Sequence, residues 1–118
     1  MKLREIKEIL SAEVVCGEEM LDREVSSGFA SDMMSDVLAY AKEGLVLLTG
    51  LVNPQTIRTA LMLDMKCVIF VRAKKLTDEV VELAKESGIV VLATDLRMFE
   101  TCGKLYAHGL KGSGEIDG

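Results

Sequence analysis

The chain has 118 residues, of which 49% are hydrophobic and 4% aromatic, and its formal net charge at pH 7 is −5. A chain of this length can bury one core, so the composition predicts a single domain packed mainly by aliphatic side chains. Its acidic balance and scattered basic residues lack the positive surface that nucleic acids require, which excludes DNA and RNA as expected partners.

Neither a membrane segment nor a secretion signal is predicted. No stretch approaches the ~20 apolar residues of a membrane span, and the N-terminal MKLREIKEIL lacks the continuous apolar region of a signal peptide. The three cysteines, Cys16, Cys67 and Cys102, are odd in number and form no CxxC pair. We interpret them as free thiols of a cytoplasmic protein, with no disulfide and no zinc.

The N-terminal part of the chain predicts a helix, two short strands and a second helix. Leu3, Ile6 and Leu10 share one face of a helix over 3–10, and the segments 13–16 and 24–29 have the composition of strands. A helix over 33–42 follows, with Ser31 or Asp32 as its N-cap. Its expected inward residues are Met34, Val37, Leu38 and Ala41.

Three apolar runs begin 22 residues apart, at Leu45, Cys67 and Ile89. Each is short, rich in β-branched residues and without alternation, which is typical of parallel strands covered on both faces. Because a helical pattern follows each run, the sequence predicts a single layered α/β domain with a mostly parallel sheet and right-handed crossovers. A solenoid of 22-residue repeats is the alternative, which the unequal loops and helix faces disfavour.

The ends of the three later helices are marked by local signals. Asn53 before proline begins the first helix, Thr77 caps the second and Gly88 ends it, and Gly109 ends the third. Beyond it, the segment 110–118 has little to bury, and we expect a disordered tail there. The residues predicted to face the core are Ile57, Ala60 and Leu61, then Val80, Val81 and Ala84, then Leu96, Phe99, Cys102 and Tyr106.

Three segments, taken in order, resemble the DRTGG domain family, and the resemblance extends over residues 1–108. They are LDREVSSGFASDMMSDVLAYAKEG, LVLLTGLVNPQTIRTALMLDMKCVIFV and ELAKESGIVVLATDLRMFETCGKLY. The family's namesake signature aligns with Asp22, Arg23 and Gly28, with Ser27 where a first glycine is expected. We therefore assign residues 1–109 to a DRTGG-like regulatory domain.

The resemblance implies a regulatory role without catalysis. Members of the family usually accompany nucleotide-sensing CBS modules or other parts of larger proteins. They are similar in fold to the N-terminal domain of HPr kinase, whose chemistry lies in a separate domain. Dimerisation recurs in the family, and stand-alone members neighbour iron-hydrogenase-like proteins. We expect a homodimer without a cofactor that binds a partner protein or a small anionic metabolite.

The loops after the three parallel strands form the candidate binding site, because α/β sheets bind ligands at the carboxyl ends of their strands. Arg72, Lys74 and Lys75 make the main basic cluster, and helix N-termini beyond the loops suit an anion. We expect a nucleotide or phosphorylated metabolite, although each residue could also be an ordinary cap or turn residue. The candidate residues are Thr49, Gly50, Asn53, Arg72, Lys75 and Thr94, with Asp95 beside them.

Other assignments remain open at this point. The phosphate-loop motif of kinases is absent, since the one Gly-Lys pair, at Gly103, is followed by leucine. Asp32 and Asp36, four residues apart, could hold magnesium for a phosphoryl transfer, or serve as an N-cap and a first-turn charge. Asp22 and Arg23 could contact a ligand or a second subunit, or only fix a turn. A purely structural adaptor without a ligand is the third alternative.

Overall fold

The computed structural model describes residues 1–73 and 75–112, in which helices and strands alternate along the chain. The helices are α1 (Leu3–Leu10), α2 (Met34–Tyr40), α3 (Pro54–Met62), α4 (Asp78–Ser87) and α5 (Met98–Ala107). The strands are β1 (Glu13–Cys16), β2 (Ser27–Ala30), β3 (Val46–Thr49), β4 (Cys67–Phe70), β5 (Val90–Ala93) and β6 (Lys111–Gly112), with a short 3₁₀ turn at Glu18–Met20. Within the described ranges, no helix has the length and hydropathy needed to cross a bilayer.

The strands form one sheet in the order β1-β5-β4-β3-β2-β6. The three predicted parallel strands are confirmed, since Val46 pairs with Cys67 and Cys67 pairs with Val90 in parallel register. β2 and β6 extend the parallel part, and β1 lies antiparallel to β5 at the opposite edge. The predicted mostly parallel α/β domain is therefore correct.

Two helical layers cover the sheet and explain the unalternating strands. Val46 and Leu48 of β3 pack with residues of α1 and α5, whereas Leu47 between them packs with residues of α2, α3 and α4. Because both faces are buried, every residue of β3 and β4 must be buried, and each is. The apolar face predicted for α1 is also correct, as Leu3, Ile6 and Leu10 are all in the core.

Local capping signals act as predicted. Asn53 accepts a hydrogen bond from the Gln55 amide at 2.8 Å, and Thr77 accepts one from the Val80 amide at 3.3 Å. Gly88 ends α4 with φ of +69°, a left-handed conformation that glycine adopts without a Cβ penalty.

Two predicted boundaries in the N-terminal half are wrong. The second strand spans Ser27–Ala30 rather than 24–29, and the helix predicted over 33–42 spans Met34–Tyr40 with Met33 at its N-cap. Asp32 does not cap this helix, because its carboxylate accepts hydrogen bonds from the end of β3 and from the loops after β3 and β4. Ser31 instead accepts the Met33 amide at 3.0 Å in a local turn.

Four side chains predicted to face the core are exposed: Leu38, Leu61, Phe99 and Tyr106. In α5 the buried residues are Thr101 and Leu105, so the helix is rotated relative to the predicted apolar stripe. The Thr101 hydroxyl can be buried because it donates to the Arg97 carbonyl one turn earlier, at 2.8 Å. A buried threonine had no apolar signal in the sequence.

The predicted start of the disordered tail is also wrong. Leu110 is buried in the core, and Lys111 and Gly112 form β6 beside β2. The domain therefore extends at least to residue 112. Residues 113–118 of the predicted tail lie outside the described residues.

Candidate functional site

A crevice forms where successive crossovers leave the sheet in opposite directions. The helix after β4 packs through Val80 and Ala84 on one face of the sheet, whereas the helix after β5 packs through Leu105 on the other. The loops after β4 and β5 therefore diverge at the carboxyl ends of adjacent parallel strands. This is the position at which open α/β sheets bind ligands.

The crevice between these loops is a cavity of about 240 Å³ lined by Arg72, Ala73, Asp95 and Arg97. Two backbone hydrogen bonds join its walls: the Arg72 amide donates to the Leu96 carbonyl at 2.9 Å, and the Ala73 amide donates to the Thr94 carbonyl at 3.1 Å. The walls are thus held in place by the backbone, while the Arg72, Asp95 and Arg97 side chains are exposed. We call this cavity the switch-point crevice.

Arg72 has an unusual backbone conformation, with φ of +52°. For a residue with a Cβ atom, a left-handed conformation costs roughly 1–2 kcal/mol. The two hydrogen bonds across the crevice hold this conformation in the folded chain. Ser11 and Asp64, in the turns after α1 and α3, have a similar φ, so this conformation allows a tight turn at the wall of the crevice.

The side chain of Arg72 extends from the crevice to Asp32. The Arg72 guanidinium lies 3.1 Å from Oδ2 of Asp32. The other carboxylate oxygen, Oδ1, accepts the Gly50 amide at 2.6 Å and the Thr49 hydroxyl at 3.2 Å. A Cβ atom at Gly50 would collide with the guanidinium, so only glycine leaves room for this arrangement. Thr49, Gly50 and Arg72 therefore surround one carboxylate.

The predicted site residues thus fall into separate groups. Thr49, Gly50 and Arg72 are together, whereas Asn53 uses its side chain to cap α3. Thr94 is buried and accepts the Leu96 amide at 3.2 Å, so it shapes the wall rather than facing the cavity. Lys75 lines a second cavity of about 240 Å³ that shares Ala73 with the crevice. Lys74 lies outside the described residues.

Arg97 is the charged crevice residue that no sequence pattern indicated. It stands directly before α5, as the N-cap residue, and no side-chain hydrogen bond caps that helix in the described structure. Its position three residues after Thr94 placed it in the loop already singled out, so loop membership was the available signal.

The residues aligned above with the family signature lie away from the crevice, and Arg23 lies at the other end of β5. Arg23 donates from Nη1 to the carbonyl of Gly88, which precedes β5, whereas the crevice follows it. Asp22 pairs with Arg4 at 3.2 Å on the surface. Gly28 lies in β2, where a Cβ atom would be 3.3 Å from Leu48. The structure therefore gives each of these residues a structural contact and does not bring them to the crevice.

An apolar groove of about 210 Å³ lies between α5 and β2. Leu48 and Leu105 form its floor, and Tyr106 lies at its rim, with the Lys111 ammonium 4.1 Å from the ring centre. It offers almost no polar group, so it differs in chemistry from the switch-point crevice.

The described residues offer no activated thiol. Burial raises the pKa of Cys16, Cys67 and Cys102, most strongly for the fully buried Cys67. Because the thiolate is the nucleophile, a raised pKa makes these thiols unreactive near neutral pH. In residues 1–73 and 75–112, no three His, Cys, Asp or Glu side chains come together as a metal site would require.

Comparison with known proteins identifies one matching domain family and one similar fold. The model of the DRTGG domain matches residues 5–107. In fold, the chain is similar to the CBS and DRTGG domains of the regulatory region of a Clostridium perfringens pyrophosphatase, solved in complex with its activator diadenosine tetraphosphate. The TM-score is 0.73 with 20% identity over 98% of this chain, which spans about half (52%) of that one. A search of curated proteins found no match.

Proposed function

The chain belongs to the DRTGG domain family, and we propose that it is a regulatory domain that senses a nucleotide or another phosphorylated metabolite. The ligand binds in the switch-point crevice and undergoes no reaction there. The observation that carries this proposal is the pair of exposed arginines, Arg72 and Arg97, in a cavity at the carboxyl ends of β4 and β5.

Local charge supports an anionic ligand. The chain carries a net charge of −5, so a free anion is repelled at long range and must be held by nearby donors. Arg72 and Arg97 line the crevice together with Asp95, and the Arg72 guanidinium is also paired with Asp32. The ten-residue helix α5 begins at the crevice, and its N-terminus adds roughly half a positive charge. Guanidinium groups also match the geometry of phosphate oxygens.

The fold neighbour suggests the first ligands to test. That pyrophosphatase region contains CBS domains as well as a DRTGG domain, and its activator is diadenosine tetraphosphate. A dinucleotide polyphosphate and simple nucleotides are therefore suitable probes for this chain. We propose the same chemical class, not the same molecule.

Magnesium-assisted phosphoryl transfer at Asp32 and Asp36 is less well supported. Both carboxylate oxygens of Asp32 already accept hydrogen bonds from protein donors, one of them a cation that would repel Mg²⁺. Asp36 lies in the first turn of α2, where its charge suits the helix dipole. We therefore assign neither residue a catalytic role.

We also propose that the domain forms a homodimer in the cytoplasm. Two neighbouring helices on one face of the sheet leave large apolar side chains exposed: Leu38 and Tyr40 on α2, and Leu61 and Met62 on α3. A second subunit would cover such a surface.

The three free cysteines suit a reducing compartment. A structural adaptor without a ligand would share the apolar surface and the free cysteines. Only a measurement of ligand binding distinguishes the adaptor from the sensing domain.

A thermal-shift screen tests the proposed function. Wild type, Arg97→Ala and Arg58→Ala are heated with ATP, ADP, diadenosine tetraphosphate and inorganic phosphate. Arg58 is exposed on α3 and does not line the crevice, and its substitution matches the change in charge. A ligand at 100 times its Kd stabilises the folded state by about 2.7 kcal/mol, which raises Tm by several degrees.

We expect a shift for wild type and Arg58→Ala that is lost or strongly reduced in Arg97→Ala. If no anion stabilises the wild type, the ligand-sensing function is wrong and the adaptor is favoured. If Arg97→Ala keeps the full shift, the ligand binds elsewhere.

A further inference from the structure

Outside the cavity itself, a set of hydrogen-bond donors surrounds the carboxylate of Asp32. Three groups converge on it: the Thr49 hydroxyl at the end of β3, the Gly50 amide directly after it, and the Arg72 guanidinium from the loop after β4. The Thr49 side chain is fully buried, and its hydroxyl also accepts the Leu51 amide at 3.1 Å, which fixes its orientation. A backbone amide, a hydroxyl and a guanidinium are the groups with which proteins hold a phosphate oxygen.

We propose that these three donors form a phosphate subsite of the switch-point crevice, and that Asp32 occupies it when no ligand is bound. This inference rests on the proposed function and adds its regulation. The ligand phosphate must displace the carboxylate to reach Gly50, Thr49 and Arg72. Asp32 thus acts as an internal competitor that sets the threshold concentration of the ligand.

Arg72 connects the proposed phosphate subsite to the switch-point crevice. Arg72 lines the cavity together with Arg97, and its guanidinium pairs with Asp32. A phosphate in the crevice and the carboxylate therefore compete for the same cation. The exposed pair is poorly shielded from solvent, with 46% and 53% of the two side chains accessible, so its net strength is small and a phosphate can replace it.

Displacement also gives a conformational output. Asp32 lies directly before Met33, the N-cap residue of α2. When the ligand displaces the carboxylate, the turn before α2 loses its hydrogen bonds to Thr49, Gly50 and Arg72. Helix α2 carries the exposed apolar residues Leu38 and Tyr40, which belong to the surface that we propose for dimer contacts. Ligand binding can therefore change the position of part of that surface.

Two substitutions separate competition from a merely structural role. Asp32→Asn keeps the shape of the side chain but removes the charge that competes with phosphate. Gly50→Ala introduces a Cβ atom that displaces the Arg72 guanidinium and crowds the subsite. Both changes disrupt the Asp32–Arg72 pair. If this pair only held the two loops together, both variants would change the affinity for the ligand in the same direction. Competition by Asp32 gives them opposite directions.

The experiment is isothermal titration of ATP and of inorganic phosphate into wild type, Asp32→Asn, Gly50→Ala and the control Asp36→Asn. Asp36 is an exposed acid one turn away with the same change in charge. We expect Asp32→Asn to bind up to about fivefold more tightly than wild type, the most that loss of an exposed ion pair allows. Gly50→Ala should bind more weakly, and Asp36→Asn should match wild type.

The outcomes are distinguishable. If wild type and Asp32→Asn bind with equal affinity, the proposed function stands and the competing role of Asp32 is wrong. If neither binds any anion, both proposals fail. Should Asp32→Asn not fold, the amide resonance of Gly50 in ¹⁵N-labelled wild type decides. It must shift on titration with ATP, and an unchanged Gly50 amide in a protein that binds ATP overturns the inference.

Discussion

Arg23 donates a hydrogen bond from Nη1 to the carbonyl oxygen of Gly88 at 3.0 Å, across 65 residues of sequence. Gly88 is the residue at which α4 ends and the chain turns into β5. The guanidinium therefore satisfies a helix C-terminal carbonyl and lies at the negative end of the helix dipole. Arg23 thus links the N-terminal segment to the turn between α4 and β5.

The first prediction concerns this contact. Arg23→Met keeps most of the aliphatic stem but removes a charged hydrogen bond that is partly buried, so we expect a loss of about 1–3 kcal/mol in the free energy of unfolding. Arg4→Met removes only an exposed ion pair with Asp22 and should cost at most about 1 kcal/mol. Urea denaturation measures both. Equal midpoints for the two variants would contradict the structural role of Arg23.

A second prediction tests the strained backbone at Arg72. Arg72→Gly and Arg72→Ala both remove the guanidinium, but only glycine adopts φ of +52° without a Cβ penalty. We expect Arg72→Gly to be more stable than Arg72→Ala by about 1 kcal/mol, despite the greater chain entropy of glycine when unfolded. Thermal unfolding of both variants in the absence of nucleotide measures the difference. A less stable glycine variant would show that Arg72 is not held in a left-handed conformation.

The third prediction is a pH dependence caused by Cys67. Burial raises the pKa of this thiol in the folded chain, so the unfolded chain loses its proton first as the pH rises. The stabilising effect is complete below the ordinary thiol pKa of about 8.5 and decreases above it, by about 1.4 kcal/mol per pH unit for one thiol. Wild type should therefore lose stability between about pH 9 and pH 10.5 more steeply than Cys67→Ala. Parallel curves for the two proteins would contradict the burial of the thiol.

The fourth prediction is the oligomeric state. Light scattering at micromolar concentration should give about twice the 12.9 kDa mass of the chain. Placing a charge in the exposed apolar surface with Met62→Glu should shift the protein toward the monomer, whereas Lys104→Glu on α5 should not. A monomeric wild type rules out the dimer.

Local patterns were sufficient to predict much of the fold. The three buried strands are visible as unalternating apolar runs because helices cover both faces, and Asn53, Thr77 and Gly88 act through contacts within a few residues. The strand β6 is not visible, since two residues, Lys111 and Gly112, carry no period. The exposed Phe99 belongs to an α5 orientation that Thr101 and Leu105 fix through tertiary packing.

The site was predictable only as a set of loops. Strand order places the loops after β4 and β5 side by side, and the three cations Arg72, Lys74 and Lys75 mark one of them in the sequence. The partner of Arg72 could not be predicted, because Asp32 is 40 residues away in the sequence. The two residues are close only because β2, β3 and β4 are neighbours in the sheet. The sequence pattern instead placed Asp32 on its own helix.

An ¹⁵N NMR titration of the wild type with ATP tests the central claim most directly, because it locates the ligand without any substitution. Our account predicts saturable shifts concentrated in the amides of Arg72, Ala73 and the loop 94–97, which line or support the switch-point crevice. The amide of Arg23, at the opposite end of β5, should not move. A spectrum that ATP leaves unchanged, or shifts confined to the apolar groove around Leu48 and Tyr106, would contradict it.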